Sequence, residues 1–155
     1  MGGVHADDSG AFAWTVRRSV YAAIVARGRP PAPETIAREL GSSSAAVAAA
    51  MRRLHDLHAL FLGPDGAGVR MANPFSGVPT AYVVRSGGVG YWANCAWDAL
   101  GIPAALHADA EIEAPAADGG DPIRLRVVEG RLEAGGELVH FLLPFRRWYD
   151  DLVFT

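Results

Sequence analysis

The sequence predicts an α+β fold, a helical front half followed by a half built mainly of strands. Three observations carry this. Before about residue 60 the apolar residues recur at helical spacing in three separate runs. After it they gather in short runs bounded by Gly, Pro, Ser and Asp, the punctuation of strands and hairpins. The chain of 155 residues, 50% hydrophobic and 20% charged, suits one compact domain or two small subdomains sharing a core. The expected arrangement is a three-helix bundle packed on a mixed or antiparallel β-sheet.

Residues 1–10 are polar and carry Asp7 and Asp8, so they are expected to be disordered and are neither a secretory signal nor an Arg-rich transit peptide. From Ala11 the set Phe12, Val16, Val20, Ala23 and Ile24 predicts a first helix ending at Gly28. Pro30, Pro31 and Pro33 make a rigid turn into a short second helix, Glu34 to Leu40, with Ile36, Ala37 and Leu40 inward and Gly41 closing it. Ser42 to Ser44 offer capping oxygens for a third helix, about Ala45 to His58, with Val47, Met51, Leu54 and Leu57 on one face. Leu60-Phe61-Leu62 and Val69-Arg70-Met71 flank a Gly63-Pro64-Asp65-Gly66 turn and read as a hairpin. Three helices and a two-stranded wing make residues 11–72 a winged-helix-like domain. The outer face of its third helix is Ala45, Ala46, Ala48 and Ala49, which cannot read base edges, with Arg52 and Arg53 the only cations there. A scaffold that does not read DNA is therefore the better reading.

Residues 73–80 form a Pro/Gly-bounded connector into a second domain, 73–155. Ala81–Arg85 and Val89–Ala93 around Ser86-Gly87-Gly88 form a hairpin that leads directly into Cys95. Cys95 to Leu100 is helical in composition and expected to stop at Gly101-Ile102-Pro103. Further strands are expected near His107–Glu113, Ile123–Val128 and Leu138–Leu143, and a short helix or turn over Arg146–Leu152.

Charge narrows the function classes. All fourteen cationic side chains are arginine, and the net charge is −3. Residues 1–80 carry eight Arg against six acids and residues 81–155 six against eleven, too acidic a balance for a strong nucleic-acid binder. No apolar run approaches the roughly 18 to 20 residues of a membrane span, so a cytoplasmic protein is expected. The single cysteine, Cys95, excludes an intrachain disulfide framework and a Cys-rich zinc site.

A lone cysteine is most often a small buried hydrophobe. Here it follows a strand and Asn94, a good N-cap residue, at a helix start, where free N–H groups and the helix dipole are expected to lower the thiol pKa. Asp98, three residues on, falls on the same helical face. A thiolate suits soft metals and a neighbouring carboxyl can carry a proton, so Cys95 and Asp98 are the candidate catalytic and metal-contacting pair. Other candidates read as structure. His55 and His58 suit a solvated helix end, His107 and Asp109 one face of a strand, and His140 a partly buried flank. Gly87-Gly88 and Gly119-Gly120 lack the strand–loop–helix context of a phosphate loop. Trp92, Trp97 and Trp148 suit core or pocket walls.

The run Asn73-Pro74-Phe75-Ser76-Gly77-Val78-Pro79-Thr80, followed by a hairpin and Cys95-Ala96-Trp97-Asp98-Ala99-Leu100, resembles the central motif of the alkylmercury (organomercurial) lyase family. The resemblance covers roughly residues 12–155 and is most specific over 73–104. It implies protonolysis of a carbon–mercury bond: Cys95 would bind the mercury, Asp98 would relay or deliver the proton, and no cofactor would be needed. The partners implied are an organomercurial small molecule and a small thiol or other acceptor for the mercuric ion. The family also uses a second, late cysteine, expected just beyond a segment similar to Arg147–Thr155. A truncated chain, or a selenocysteine codon after Thr155 taken as a stop, would account for its absence here. Two other readings stand beside the enzyme. One is a thiol-based metal or redox sensor that binds DNA through the winged helix; the other is a degenerate relative serving only as an interaction scaffold.

Overall fold

Ala13, Val16, Val20, Ala23 and Ile24 repeat at three- and four-residue intervals, and all are buried. They hold α1 (His5–Arg27) to its neighbours and make its length cooperative. The computed structural model describes residues 5–66, 68–133, 136–141 and 143–148. Residues 5–10 thus belong to α1 and not to the disordered tail expected there, while residues 1–4 lie outside the described residues. The chain forms two units, Met1–Pro79 and Thr80–Thr155. The division falls beyond the boundary expected after residue 72, because residues 75–76 pair with the strand before them.

In the first unit Gly28 (φ 76°) ends α1, and Pro33 opens α2 (Pro33–Glu39), whose Ile36 and Ala37 are buried. Gly41 (φ 60°) closes α2, and Ser42 N–H donates to the Ala37 carbonyl, 2.8 Å. In α3 (Ser44–Asp56) Ser43 is the N-cap, its Oγ accepting from Ala46 N–H at 3.1 Å. Val47, Ala50, Met51 and Leu54 face inward; Leu57, expected with them, is 56% exposed. The helix stops two residues short of the expected end because His58 adopts φ 55°, turning Leu57 out as the C-cap. Strands β1 (Phe61–Leu62), β2 (Val69–Ala72) and β3 (Phe75–Ser76) pair antiparallel in that order. The supposed connector therefore contains a strand too short to show a period. Gly77 is obligatory: a Cβ there would collide with the Val69 carbonyl oxygen, while its N–H bonds Arg70 O at 2.9 Å. Tyr21 ties α1 to this hairpin, its hydroxyl donating to Asn73 O at 3.0 Å and its ring meeting Phe75 edge-on.

The second unit is a five-stranded antiparallel sheet in the order β5-β4-β6-β7-β8: β4 (Tyr82–Ser86), β5 (Val89–Ala93), β6 (Ala110–Ala114), β7 (Ile123–Val128) and β8 (Arg131–Glu133). Alternation gives it two unlike faces. Register places Arg85, Glu111, Glu113, Arg124, Arg126 and Glu133 on one side, where Arg124–Glu113 and Arg126–Glu133 are exposed pairs, each at 3.5 Å. Val84, Tyr91, Ala93, Ala110, Ile112 and Ala114 lie on the other side and are buried. Helix α4 (Ala96–Leu106) packs on β4, β5 and β6 and buries Ala99, Ile102 and Pro103.

Three expectations fail in this half. Helix α4 runs through Gly101 and Pro103, where a stop was expected, and ends at His107 (φ 50°) with Ala108 N–H bonding Pro103 O at 3.3 Å. Strand β6 starts at Ala110, so His107 caps a helix and does not share a strand face with Asp109. Residues 138–141 form no strand, and Leu138 is 93% exposed, whereas the strand at 131–133 was not foreseen. Phe145–Arg147 is a 3-10 turn inside the expected final element; residues 149–152 of that element lie outside the described residues. Among the described residues no helix is long and apolar enough to cross a membrane.

Candidate active site

Strand β5 delivers its last residue, Ala93, into the core, and Thr80 fixes that end. Its hydroxyl donates to the Ala93 carbonyl at 2.6 Å and accepts from Tyr82 N–H at 3.3 Å. Asn94 and Cys95 then bridge to α4. Cys95 is the N-cap, extended at φ −152°, ψ −179°, and its carbonyl accepts the first helical bond from Ala99 N–H at 3.0 Å. Asp98 sits three residues on, in the first turn. These are the two positions of a capping box, in which Ser or Thr ordinarily precedes Glu or Gln. The Cys95 thiol makes no side-chain cap hydrogen bond of the kind a hydroxyl would close.

Both groups are half-buried, and burial decides their titration. Burial pushes the Cys95 thiol above its ordinary value of 9.0, and the charge and hydrogen bond of the Asp98 carboxylate push the same way. The backbone N–H groups of Asp98 and Trp97 pull it down without overcoming that. The depressed thiol expected from a helix N-terminus is therefore corrected: the dipole is present, but desolvation and a neighbouring carboxylate outweigh it. Burial likewise raises Asp98 above 3.8, against the Asn94 amide and the Cys95 thiol, which both favour the carboxylate. Asn94 Nδ2 donates to Asp98 Oδ2 at 3.0 Å. Both shifts run toward the protonated form, in a thiol and a carboxyl that share the first turn of α4.

The family model of alkylmercury lyase matches residues 75–154, which is half of the chain and includes this site. The chain belongs to the alkylmercury lyase family. Among solved structures it is similar to MerB2, described in its mercury-bound form, at a TM-score of 0.63 and 24% identity; at that identity the likeness speaks for the fold. The match covers 79% of this chain and 58% of that one, so this chain spans under two thirds of the MerB2 chain. No curated protein matches.

Within the family assignment, the other candidates from the sequence separate cleanly from the site. His55 Nδ1 accepts from Leu62 N–H at 3.4 Å and both His55 and His58 pack on the Phe61 ring, so they support the β1 turn. Asp109 Oδ1 accepts from Glu129 N–H at 2.8 Å, and His140 is exposed, not the half-buried flank expected. Gly87 and Gly88, at φ 56° and 80°, turn the β4–β5 hairpin. Among the described residues no group of three or more His, Cys, Asp and Glu could hold a metal ion.

Two features escaped sequence reasoning. Asn94, a good N-cap residue by type, instead donates to Asp98, and the i, i+4 spacing is the available signal. Trp97, two residues from Cys95 and 57% exposed, meets Phe141 edge-on at 6.0 Å, and Phe141 stacks on Trp148 at 5.2 Å. Trp148 in turn donates to Leu143 O at 3.0 Å. Nothing local in the sequence relates residues more than forty positions apart.

Proposed function

We propose that this chain is an organomercurial lyase that cleaves carbon–mercury bonds by protonolysis at Cys95 and Asp98. The observation that carries the reading is the contact of a half-buried carboxyl with the single thiol, in an environment that raises the proton affinity of both. The steps balance. Cys95 passes its thiol proton to Asp98 as sulfur bonds mercury and displaces the anion the mercurial carries. Electron donation from sulfur weakens the bond to carbon. Asp98 returns the proton to that carbon as the mercury–carbon bond breaks with both electrons on carbon. The hydrocarbon leaves, Asp98 is again a carboxylate, and Hg(II) stays on Cys95 with the returning anion. A small cytoplasmic thiol, or another protein, then takes the mercuric ion. Mercury enters with the substrate, so no resident cofactor is required. The raised thiol suits this order, because a protonated Cys95 brings to the site the proton that the carbon later receives.

The N-terminal unit serves as a winged-helix-like scaffold. The exposed or half-exposed residues of α3 include Ala45, Ala46, Ala48 and Ala49, with Arg52 and Arg53 near its far end, a surface without base-reading groups. That favours the enzyme over a DNA-binding sensor.

The test is to mix the protein with a phenylmercury salt and a small thiol, measuring bound mercury and released benzene. With one cysteine as the protein's soft ligand, stoichiometric binding and slow release are expected. Asp98→Asn should bind mercury and release no benzene. Binding by Cys95→Ser equal to the parent, or benzene from Asp98→Asn at the parental rate, would sink the assignment.

A further inference from the structure

We infer that Asn94 is a positioning residue for this protonolysis, its side-chain amide holding one oxygen of the Asp98 carboxyl so that the travelling proton is carried on the other. The inference rests on the lyase reading and adds to it the group that aims the acid. Asn94 Nδ2 lies 3.0 Å from Oδ2 of Asp98, a side chain-to-side chain bond spanning the residue that bears the sulfur. An amide N–H donates well to a carboxylate or carbonyl oxygen and poorly to a hydroxyl oxygen. With Asn94 on Oδ2, a protonated Asp98 keeps Oδ2 as its carbonyl oxygen and bears the proton on Oδ1. The donor cannot itself compete for that proton, because a carboxamide neither accepts nor releases one in the accessible pH range.

The hold is stiff because Asn94 is anchored from both sides. Upstream, Thr80 clamps the Ala93 carbonyl at 2.6 Å; downstream, Cys95 is fixed as the N-cap by Ala99 N–H. Asn94 itself is half-buried. The asparagine therefore joins the end of β5 to the first turn of α4, and the Asp98 side chain has few rotamers that keep its bond. Without the amide, the carboxyl can turn either oxygen toward sulfur, and proton delivery to carbon loses its alignment.

Asn94→Ala should bind phenylmercury as the parent does, since Cys95 makes that bond, while single-turnover benzene release falls roughly ten- to a hundredfold. Asn94→Asp is isosteric and lacks the donor; it should fall at least as far, and it carries the test if the alanine variant does not fold. Asn94→Gln keeps the donor and should recover part of the rate. Equal losses in binding and release, or release unchanged in both Asn94→Ala and Asn94→Asp, would overturn the inference. A readout independent of turnover is the Asn94 side-chain amide NMR signal, expected to move to a solvent-like position in Asp98→Ala. If no variant and no parent releases benzene, the lyase reading fails. The amide signal then decides the rest: sensitivity to Asp98→Ala upholds the hold on the carboxyl, and insensitivity overturns it.

Discussion

Cys95 and Asp98 occupy the N-cap and third helical position of α4, where Ser or Thr with Glu would stabilise the helix most. The site therefore carries a stability cost that two substitutions should reveal. Cys95→Ser supplies a hydroxyl that can accept from the first-turn N–H groups. Thermal unfolding should show it more stable than the parent by about 1 kcal/mol, while mercurial binding disappears. Asp98→Asn tests the buried carboxyl. Because the folded-state pKa of Asp98 is raised, the folded chain holds more protons than the unfolded one above about the ordinary value of 3.8. The parent must then lose stability as pH rises from there through the folded value. Asp98→Asn, neutral throughout, should match the parent near the acid end of that window and gain on it as pH rises, levelling above it. A difference in melting temperature independent of pH would show that Asp98 pays no desolvation penalty. The raised thiol makes a companion claim: alkylation of Cys95 should have its midpoint above the ordinary 9.0, and a midpoint below it would restore the activated thiolate expected from the helix dipole.

The element that carries the site, α4, breaks local rules and is held by packing. Pro103 removes one helical N–H and costs about 3 kcal/mol in a helix interior, yet the helix continues to Leu106. Ala99, Ile102 and Pro103 are buried against β4, β5 and β6, and the apolar area they remove from water offsets the lost bond. Ile102→Ala should therefore destabilise the second unit by about 2–5 kcal/mol, read as a lower urea midpoint. A smaller effect would mean that α4 is held by something other than this face. In the first unit the tightest restraint is Gly77. Gly77→Ala must displace the Val69 carbonyl, so the β2–β3 pairing should loosen and the melting temperature fall, by an amount corresponding to about 1–3 kcal/mol.

For the molecule as a whole, charge and surface chemistry set what it can bind. The net charge of −3 and the alanine surface of α3 predict no sequence-selective DNA complex near 10⁻⁸ M at roughly physiological salt. Titration with labelled genomic fragments checks this, and a selective complex in that range would favour a sensor over the proposed lyase. Helical periods up to Leu54, the prolines and glycines at the helix ends, the β4–β5 hairpin and the Cys95–Asp98 spacing were all legible in the sequence, because each is a local preference acting within a few residues. The run from Asn73 to Thr80 was legible as a family motif but not as structure; Gly77 against Val69 and Thr80 against Ala93 are contacts that only folding makes. Four matters were decided by tertiary structure alone. Helix α4 outlasts Gly101 and Pro103 because its buried face outweighs their propensities. Residues 138–141 form no strand although their composition favours one, since strand formation requires a partner edge. The thiol rises where the helix dipole would lower it, because desolvation depends on what surrounds Cys95 and not on its place in the helix. And Asn94 turns from capping to holding Asp98, since the sulfur takes the cap position and leaves the amide the carboxylate as its partner.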